Sequence, residues 1–300
     1  MTAPDPARKA LRMSTVGDHG ATHFGTGETP SAWFARLLAP RRPLVMGVLN
    51  LTPDSFSDGG RFVDPAVAIA HAQRMIAEGA DIIDIGAEST RPYGGAVRVS
   101  GAEERRRLEP VLAAVCALGT PVSIDTMKAD VARWALAQGA AMINDVWGLQ
   151  RDPDMAAVVA EHRVPVVIMH NRDAADPSLD IMTDIEAFFA RSLVLASRAG
   201  IATERIVLDP GIGFGKTPAQ SIEAIARVRR LERFGLPLLV GASRKRFIDR
   251  ISPAPPDRRI GGSVAAHVLA VLEGAAIIRA HDVAETVQAL KVVAAIRAEA

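Results

Sequence analysis

From Pro43 onward, short apolar runs alternate with longer amphipathic stretches. Eight runs read as strands: 44–49, 81–85, 122–124, 141–143, 165–169, 206–208, 238–240 and 275–278. Between them apolar residues recur three or four apart, as on one face of a helix. Ile69, Ala72 and Ile76 form one such face, and Val283, Val287, Leu290 and Ala294 another. Gly79, Gly119, Gly139, Gly200, Gly235 and Gly274 stand where helices give way to strands, as left-handed stops do. Strands apolar on both faces belong to a parallel sheet covered on both sides. Eight such units in series predict an α/β fold, a (β/α)8 TIM barrel over residues 43–300; an open doubly wound sheet is the alternative. Residues 1–42 carry no sustained period and read as an N-terminal extension, partly disordered or capping the barrel, with a short helix over 31–38.

A barrel of this kind does its chemistry where its strands end. In order, the residues there are Asn50; Glu88 to Pro92; Asp125 and Thr126; Asn144 and Asp145; His170 and Asn171; Asp209 to Lys216; Ser243, Arg244 and Lys245; and Arg279 to Asp282. Polar residues mark the end of any apolar strand, but that alone does not account for eight polar rim positions so rich in Asp and Asn. Two zones emerge. Asp125, Asn144 and Asp209 offer acceptors that suit a flat ligand with several N–H donors, unless they cap the following helices. Arg91, Arg244, Lys245, Arg279 and His281 offer donors that suit phosphate or carboxylate, helped by a helix opening near Asp282. Arg105, Arg106 and Arg107, beside Glu103 and Glu104, read as ordinary solvated charge.

Composition narrows the partners. Lys+Arg is 35 against 34 Asp+Glu, a formal net charge of +1, so neither nucleic acid nor an anionic membrane is expected as a partner. The lone Cys116 lies in an apolar helical stretch and reads as a buried hydrophobe; with no internal disulfide possible, a reducing, cytoplasmic setting is expected. The N-terminal twenty residues lack a signal-peptide core, and the apolar segment 264–278 is broken by His267 and Glu273, so no membrane span is expected. Gly211 to Thr217 imitates a P-loop but is one residue short, Pro210 standing where the first Gly belongs. His162 and His170 lack zinc spacing, and His71 and His267 read as helix-face residues.

The first strand ends in an unusual way. "MGVLNLTPDSFSDGG" (46–60) leaves its apolar run at Asn50 and stays polar until a helix resumes near Pro65, a loop long enough to be functional. With "GADIIDIGAESTRP", "SIDT", "MINDVWG", "VLDPGIGFGKT", "GASRKRFI" and "IIRAHDV", this stretch resembles dihydropteroate synthase, in order, from about Pro43 to the C-terminus. Ala87 departs from the family's usual Gly, and Asn171 to Pro177 from its usual Gly-x-Pro segment.

The resemblance implies an enzyme of folate biosynthesis. It would join 6-hydroxymethyl-7,8-dihydropterin pyrophosphate to p-aminobenzoate, releasing pyrophosphate, with Mg2+ as cofactor, and would be a sulfonamide target and a homodimer. Trp134 on an outer helix is a candidate interface residue, with a core role as the equal alternative. By motif, Asp125, Asn144, Asp209 and Lys245 would hold the pterin, and Asn50 the metal. Arg91, Arg279 and His281 would hold the pyrophosphate. Thr90, Pro92, Ser243, Arg244 and Phe56 would build the p-aminobenzoate site, with Asn50, Arg91, Lys245, Arg279 and His281 the catalytic set. Thr52, Pro53, Asp54, Ser55, Phe56, Ser57 and Asp58 would form a lid that closes over the pyrophosphate and shields a cation from water. A methyltetrahydrofolate-type one-carbon transferase and a non-catalytic pterin-binding paralogue are the alternatives.

Overall fold

The computed structural model describes residues 30–39, 42–52, 64–88 and 99–299. Eight parallel strands form one sheet: β1 (Leu44–Asn50), β2 (Ile82–Gly86), β3 (Val122–Asp125), β4 (Met142–Asp145), β5 (Val166–Met169), β6 (Ile206–Asp209), β7 (Leu239–Val240) and β8 (Ile277–Ala280). Pairing runs β6-β5-β4-β3-β2-β1-β8-β7, and a parallel bridge between Leu208 and Leu238 joins the two ends. The sheet is the expected (β/α)8 barrel, not an open doubly wound one.

The helices are α1 (Pro30–Leu38), α2 (Pro65–Ala77), α3 (Gly101–Cys116), α4 (Ala129–Ala137), α5 (Met155–His162), α6 (Ile181–Ala199), α7 (Pro218–Ala226), α8 (Arg246–Ile251), α9 (Ile260–Leu272) and α10 (Val283–Ala298). Their ends follow local chemistry. Asp64 caps α2 by accepting from Ala66 N–H, with Pro65 at the first helical position. Thr217 and Gln220 form a capping box on α7. All six glycines expected as helix stops have φ between +65° and +105°. At Gly274 this turn delays the strand: the Ala275 N–H still bonds to Ala270 O, so β8 begins at Ile277 rather than 275 and contains Arg279.

One other expectation shifts, and one alternative is decided. On α10 the buried positions are Val283, Thr286 and Leu290 and Val287 is half-buried against the core, while Ala294 is exposed, so the expected face is buried only over the helix's first two turns. Trp134 is half-buried and packs against the core between sheet and helices, which turns most of its ring inward.

Side chains alternate across each strand, so one set meets the helices and the other fills the barrel. The interior set includes Leu44, Met46, Ile82, Met142, Val167, Val207, Leu239 and Ile277, in one cluster with Trp33, Phe34 and Leu37 of α1. Helix α1 therefore plugs the N-terminal end of the barrel. Burying side chains of this size contributes about 1.5–3 kcal/mol each. With that end closed by apolar packing, the interior turns polar only towards the C-terminal ends of the strands. Residues 1–29 of the expected extension lie outside the described residues.

Candidate active site

Strand register decides which polar side chains meet. Asn50 pairs with Gly86, Gly86 with Asp125, and Asp125 with Asn144, all at the C-terminal edge. Asp209 ends β6 beside Met169. Two residues before Gly86, on the same inner face and one layer deeper, stands Asp84.

Asp84 is fully buried, and both donors that reach it meet one oxygen. Asn144 Nδ2 donates to Asp84 Oδ2 at 3.0 Å, and Arg279 Nε donates to the same oxygen at 2.7 Å. Arg279 Nη2 donates to Asp125 Oδ2 at 2.8 Å. The guanidinium thus lies between two carboxylates on the barrel floor, and the acceptor and cation zones of the sequence share a residue. Its place inside β8, with an inward side chain, is the cause. Lys245 also leaves the cation zone. Its Nζ donates to the Ile212 carbonyl, lies 4.6 Å from the Phe214 ring centroid, and feels the charges of Asp209 and Asp125.

What remains open is a set of acceptors. Asp84 Oδ1, Asp125 Oδ1, Asn144 Oδ1 and Ser123 Oγ are buried without a hydrogen-bond partner among the described residues. Buried acceptors left in this way cost about 1–3 kcal/mol each, so they mark a place built for donors from elsewhere. Burial raises the Asp125 carboxyl to about 7 although Arg279 opposes it, and raises Asp209 as well. Burial lowers the Lys245 ammonium to about 8, against the pull of Asp209. Such displaced values in one concave site are typical of working groups.

Helix capping does not account for the three expected pterin residues. Asp125 and Asn144 bond across the barrel, and only Asp209 makes a local bond, accepting Gly211 N–H at 2.7 Å. The local turn-maker is Asp145, which accepts from Trp147 and Leu149 N–H.

On the other side of the rim, Ser243 Oγ accepts the His281 N–H at 3.2 Å and lies 3.0 Å from His281 Nδ1. Arg244 makes two bonds to Asp282, 3.0 and 2.5 Å, which occupies the carboxylate that would otherwise cap α10. Arg244 holds φ at +58°, a conformation uncommon for a non-glycine residue and typical of functional loops. Its N–H donates to Ser263 Oγ, and Arg259 donates to its carbonyl, which holds it there. Asn50 is half-buried at the last position of β1, open to the rim. Thr90, Arg91 and Pro92, and the loop residues Pro53, Asp54, Ser55, Phe56, Ser57 and Asp58, lie outside the described residues; Thr52 lies within them. Where the second loop departs from β2, Glu88 is buried and paired with Lys128, which also holds Glu104 at 2.7 Å.

The P-loop imitation turns inward. Lys216 is fully buried, bonding to His170 and two loop carbonyls rather than facing a ligand. His267 is buried, deeper than a helix-face role suggests, and burial lowers it to about 4. Cys116 is half-buried and raised to about 11 by burial. Arg105 and Arg106 pair at the surface as expected, whereas Arg107 reaches inward to the Ala87 carbonyl at 2.9 Å. One cleft, of ≈ 700 Å³, lies between the segment after β4 and α6, among Gln150, Arg151, Arg191 and Val194. Another, of ≈ 310 Å³, opens beside the loop after β6, between Thr217, Arg246, Phe247 and Arg250.

Asp84 escaped the reading of strand ends because it lies mid-strand. The signal was present: a charged residue between Ile83 and Ile85 in a run apolar on its other face must point into the barrel.

The profile of the pterin binding enzyme family matches residues 46–281. A dihydropteroate synthase of Clostridium beijerinckii is 46% identical over 252 residues, 83% of this chain and 93% of that protein. A dihydropteroate synthase from Clostridium difficile, solved in the presence of pteroic acid, superposes with a TM-score of 0.82 at 47% identity, covering 85% of this chain and 97% of that one. The Xanthomonas albilineans enzyme with 4-aminobenzoic acid gives a TM-score of 0.82 at 46% identity, covering 86% and 94%.

Proposed function

The chain belongs to the dihydropteroate synthase family of pterin-binding enzymes, and from that premise we propose how its own residues divide the work. The reaction joins 6-hydroxymethyl-7,8-dihydropterin pyrophosphate to p-aminobenzoate, giving 7,8-dihydropteroate and pyrophosphate. The observation that carries the assignment of the pterin site is the set of buried acceptor oxygens on Asp84, Asp125 and Asn144. An amino-pyrimidine edge carries several N–H donors in one plane and would meet them together. Asp209 and Lys245 complete the ring of contacts, Lys245 as a donor to a pterin acceptor.

The cations at the rim then face the leaving group. Arg279 reaches the floor from β8, and His281 stands two residues further along the chain, just past the strand's end at Ala280, so the pair runs from the floor to the rim. Loss of pyrophosphate breaks the exocyclic C–O bond, its electron pair leaving on the oxygen. The electron-rich ring stabilises the resulting cation. The arylamine nitrogen forms the new C–N bond and gives up its proton to water or a loop carboxylate such as Asp54. Positioning and charge stabilisation carry the rate; no strong base is needed. Ser243, held on His281, and Arg244, held on Asp282, line the arylamine side. On sequence grounds Thr90, Arg91, Pro92 and the 52–58 lid with Phe56 complete the site.

Among the described residues no group of three or more His, Cys, Asp or Glu converges to hold a metal ion. Asn50 offers a single amide oxygen at the rim, and that suits Mg2+, a hard cation that takes its remaining ligands from water and substrate phosphates. When bound, it would supply charge neutralisation on the pyrophosphate. No helix among the described residues is long and apolar enough to cross a membrane, and we place the enzyme in the cytoplasm as a homodimer. Supporting the dimer, Ile222, Ile251 and Leu269 are exposed apolar residues on outer helices.

Pterin titration tests the assignment. Asn144→Ala should weaken binding by about tenfold or more, one buried hydrogen-bonding amide being worth about 1.5 kcal/mol. An unchanged Kd contradicts it. Isotope exchange between bridging and terminal oxygens of the pyrophosphate without arylamine tests early ionisation; its absence, with a rate set by arylamine nucleophilicity, speaks for direct displacement.

A further inference from the structure

The loop after β6, Gly211 to Gly215, touches both ends of the pterin ring of contacts. Its Gly211 N–H holds Asp209 Oδ1, its Ile212 carbonyl holds Lys245 Nζ, and its Phe214 ring lies under the same ammonium. Gly211, Gly213 and Gly215 all have positive φ, so the loop doubles back tightly. It is also pressed against the start of the loop after β5. A Cβ at Gly211 would stand 1.9 Å from the His170 carbonyl oxygen, and one at Gly215 would stand 2.4 Å from Arg172 Cβ.

What holds this loop from behind is a buried charge relay. Lys216 Nζ lies 2.6 Å from His170 Nδ1, 2.9 Å from Gly211 O and 3.1 Å from Phe214 O. An ammonium has three N–H donors, and these three acceptors take them. His170 Nδ1 then accepts, so its proton is on Nε2, which faces Asp184 Oδ2 at 3.0 Å. Arg172 Nη1 meets that same oxygen at 2.9 Å. The opposite assignment, a neutral amine accepting from Nδ1–H, would set the bare Nε2 lone pair against a carboxylate. Asp184 is held well below the usual carboxylate range by His170 and Arg172, so it cannot supply the missing proton. Burial lowers His170 to about 4, which agrees with a neutral ring. Burial also lowers the Lys216 ammonium well below the usual lysine range, opposed by the charges of Asp209 and Asp184, so its charged form rests on the three acceptors around Nζ and on the Asp184 contact.

We propose that Lys216, His170 and Asp184 are positioning residues for pterin recognition: together they brace the loop after β6, and through it fix Asp209 and Lys245. This rests on the pterin-site reading above. It also gives the Asn171 to Pro177 segment, unlike the family's usual one, a task, since Arg172 closes the relay on Asp184.

The test uses the full chain, titrated with a pterin. Lys216→Met keeps an unbranched apolar stem in the same space and removes all three donors. It should weaken pterin binding by about tenfold or more, while the arylamine KM at saturating pterin substrate stays within about twofold. Asp184→Asn, at a partly exposed position, leaves Lys216 in place and weakens the relay's anchor. It should weaken pterin binding by about threefold to tenfold, and it decides the matter if Lys216→Met does not fold. Unchanged pterin affinity in either folded variant overturns the proposal. So does an equal loss for pterin and arylamine, which would signal general damage to the barrel. Wild-type protein that binds no pterin overturns instead the site reading on which the proposal rests.

Discussion

Replacing Asp84 by Asn tests the barrel floor with almost no change of shape. Both donors to Asp84 converge on one oxygen, at 2.7 Å from Arg279 and 3.0 Å from Asn144, and an Asn carbonyl can occupy that place. Its amide nitrogen would then lie where Oδ1 stands, which has no partner among the described residues. The charge is lost and the contacts are not. A hydrogen bond to a charged group is worth about 1.5–3 kcal/mol and a neutral one about 0.5–1.5, so the bond from the neutral Asn144 amide weakens by about 1–1.5 kcal/mol, whereas the bond from Arg279 stays charge-assisted and loses its ion pairing, about 1 kcal/mol.

The two losses should appear in different measurements. The bond to Arg279 contributes to the fold, and about 1 kcal/mol lowers Tm by about 2–4 °C in a domain of this size. The bond to Asn144 sets the amide whose Oδ1 faces the pocket, and about 1–1.5 kcal/mol there is about tenfold in pterin Kd. Titration calorimetry of Asp84→Asn, Asn144→Ala and the double variant separates them. In the Asn144→Ala background the second substitution should cost only what Asp84 Oδ1 gives the pterin directly, less than in the wild-type background, since the contact through which it orients Asn144 is gone. A single variant Asp84→Asn with pterin Kd within twofold of wild type would refute the claim that Asp84 orients Asn144.

Other consequences can be checked alongside. Pterin affinity should rise with pH as the Asp125 carboxyl, near 7, ionises into a stronger acceptor, and fall as Lys245, near 8, loses its proton. Asp125→Asn should remove the acid limb and Lys245→Gln the alkaline one; a flat profile in wild type would show that neither group meets the ligand. Phe34→Ala, at the plug of the barrel's N-terminal end, should cost about 3–5 kcal/mol in denaturant unfolding and leave pterin affinity intact at temperatures where the protein is folded. An effect below about 1 kcal/mol would mean that α1 does not seal the barrel. Cys116, raised to about 11 by burial, should react with thiol reagents at neutral pH far more slowly than free cysteine does. Rapid modification of the folded protein would contradict its burial.

Much of this could be read from the sequence because a parallel barrel enforces a simple code. Each strand is an apolar run, so its polar successor marks the rim; Asn50, Asp125, Asn144 and Asp209 were found in this way, each as the last or next-to-last residue of its strand. What the code does not carry is which way a long side chain turns. Arg279 follows the apolar Ile277 and Ile278 and read as a rim cation, yet it lies within β8 and points to the floor. Asp84 was hidden in the middle of an apolar run, where alternation rather than termination was the signal. Lys216 sits in a glycine-rich loop that suggests phosphate, and only the packing of His170 against that loop shows that its three donors are taken inside the protein. Its partners are distant in sequence, 46 residues away in the case of His170, beyond the reach of any local pattern.

The central claim is that this barrel binds a dihydropterin on its acceptor floor and transfers it to an arylamine. Purified protein given 6-hydroxymethyl-7,8-dihydropterin pyrophosphate, p-aminobenzoate and Mg2+ should release one pyrophosphate for each 7,8-dihydropteroate formed, and Asp125→Asn should depress the rate by at least about tenfold. Pterin binding without any dihydropteroate would contradict it and mark the chain as a binding protein that has lost turnover.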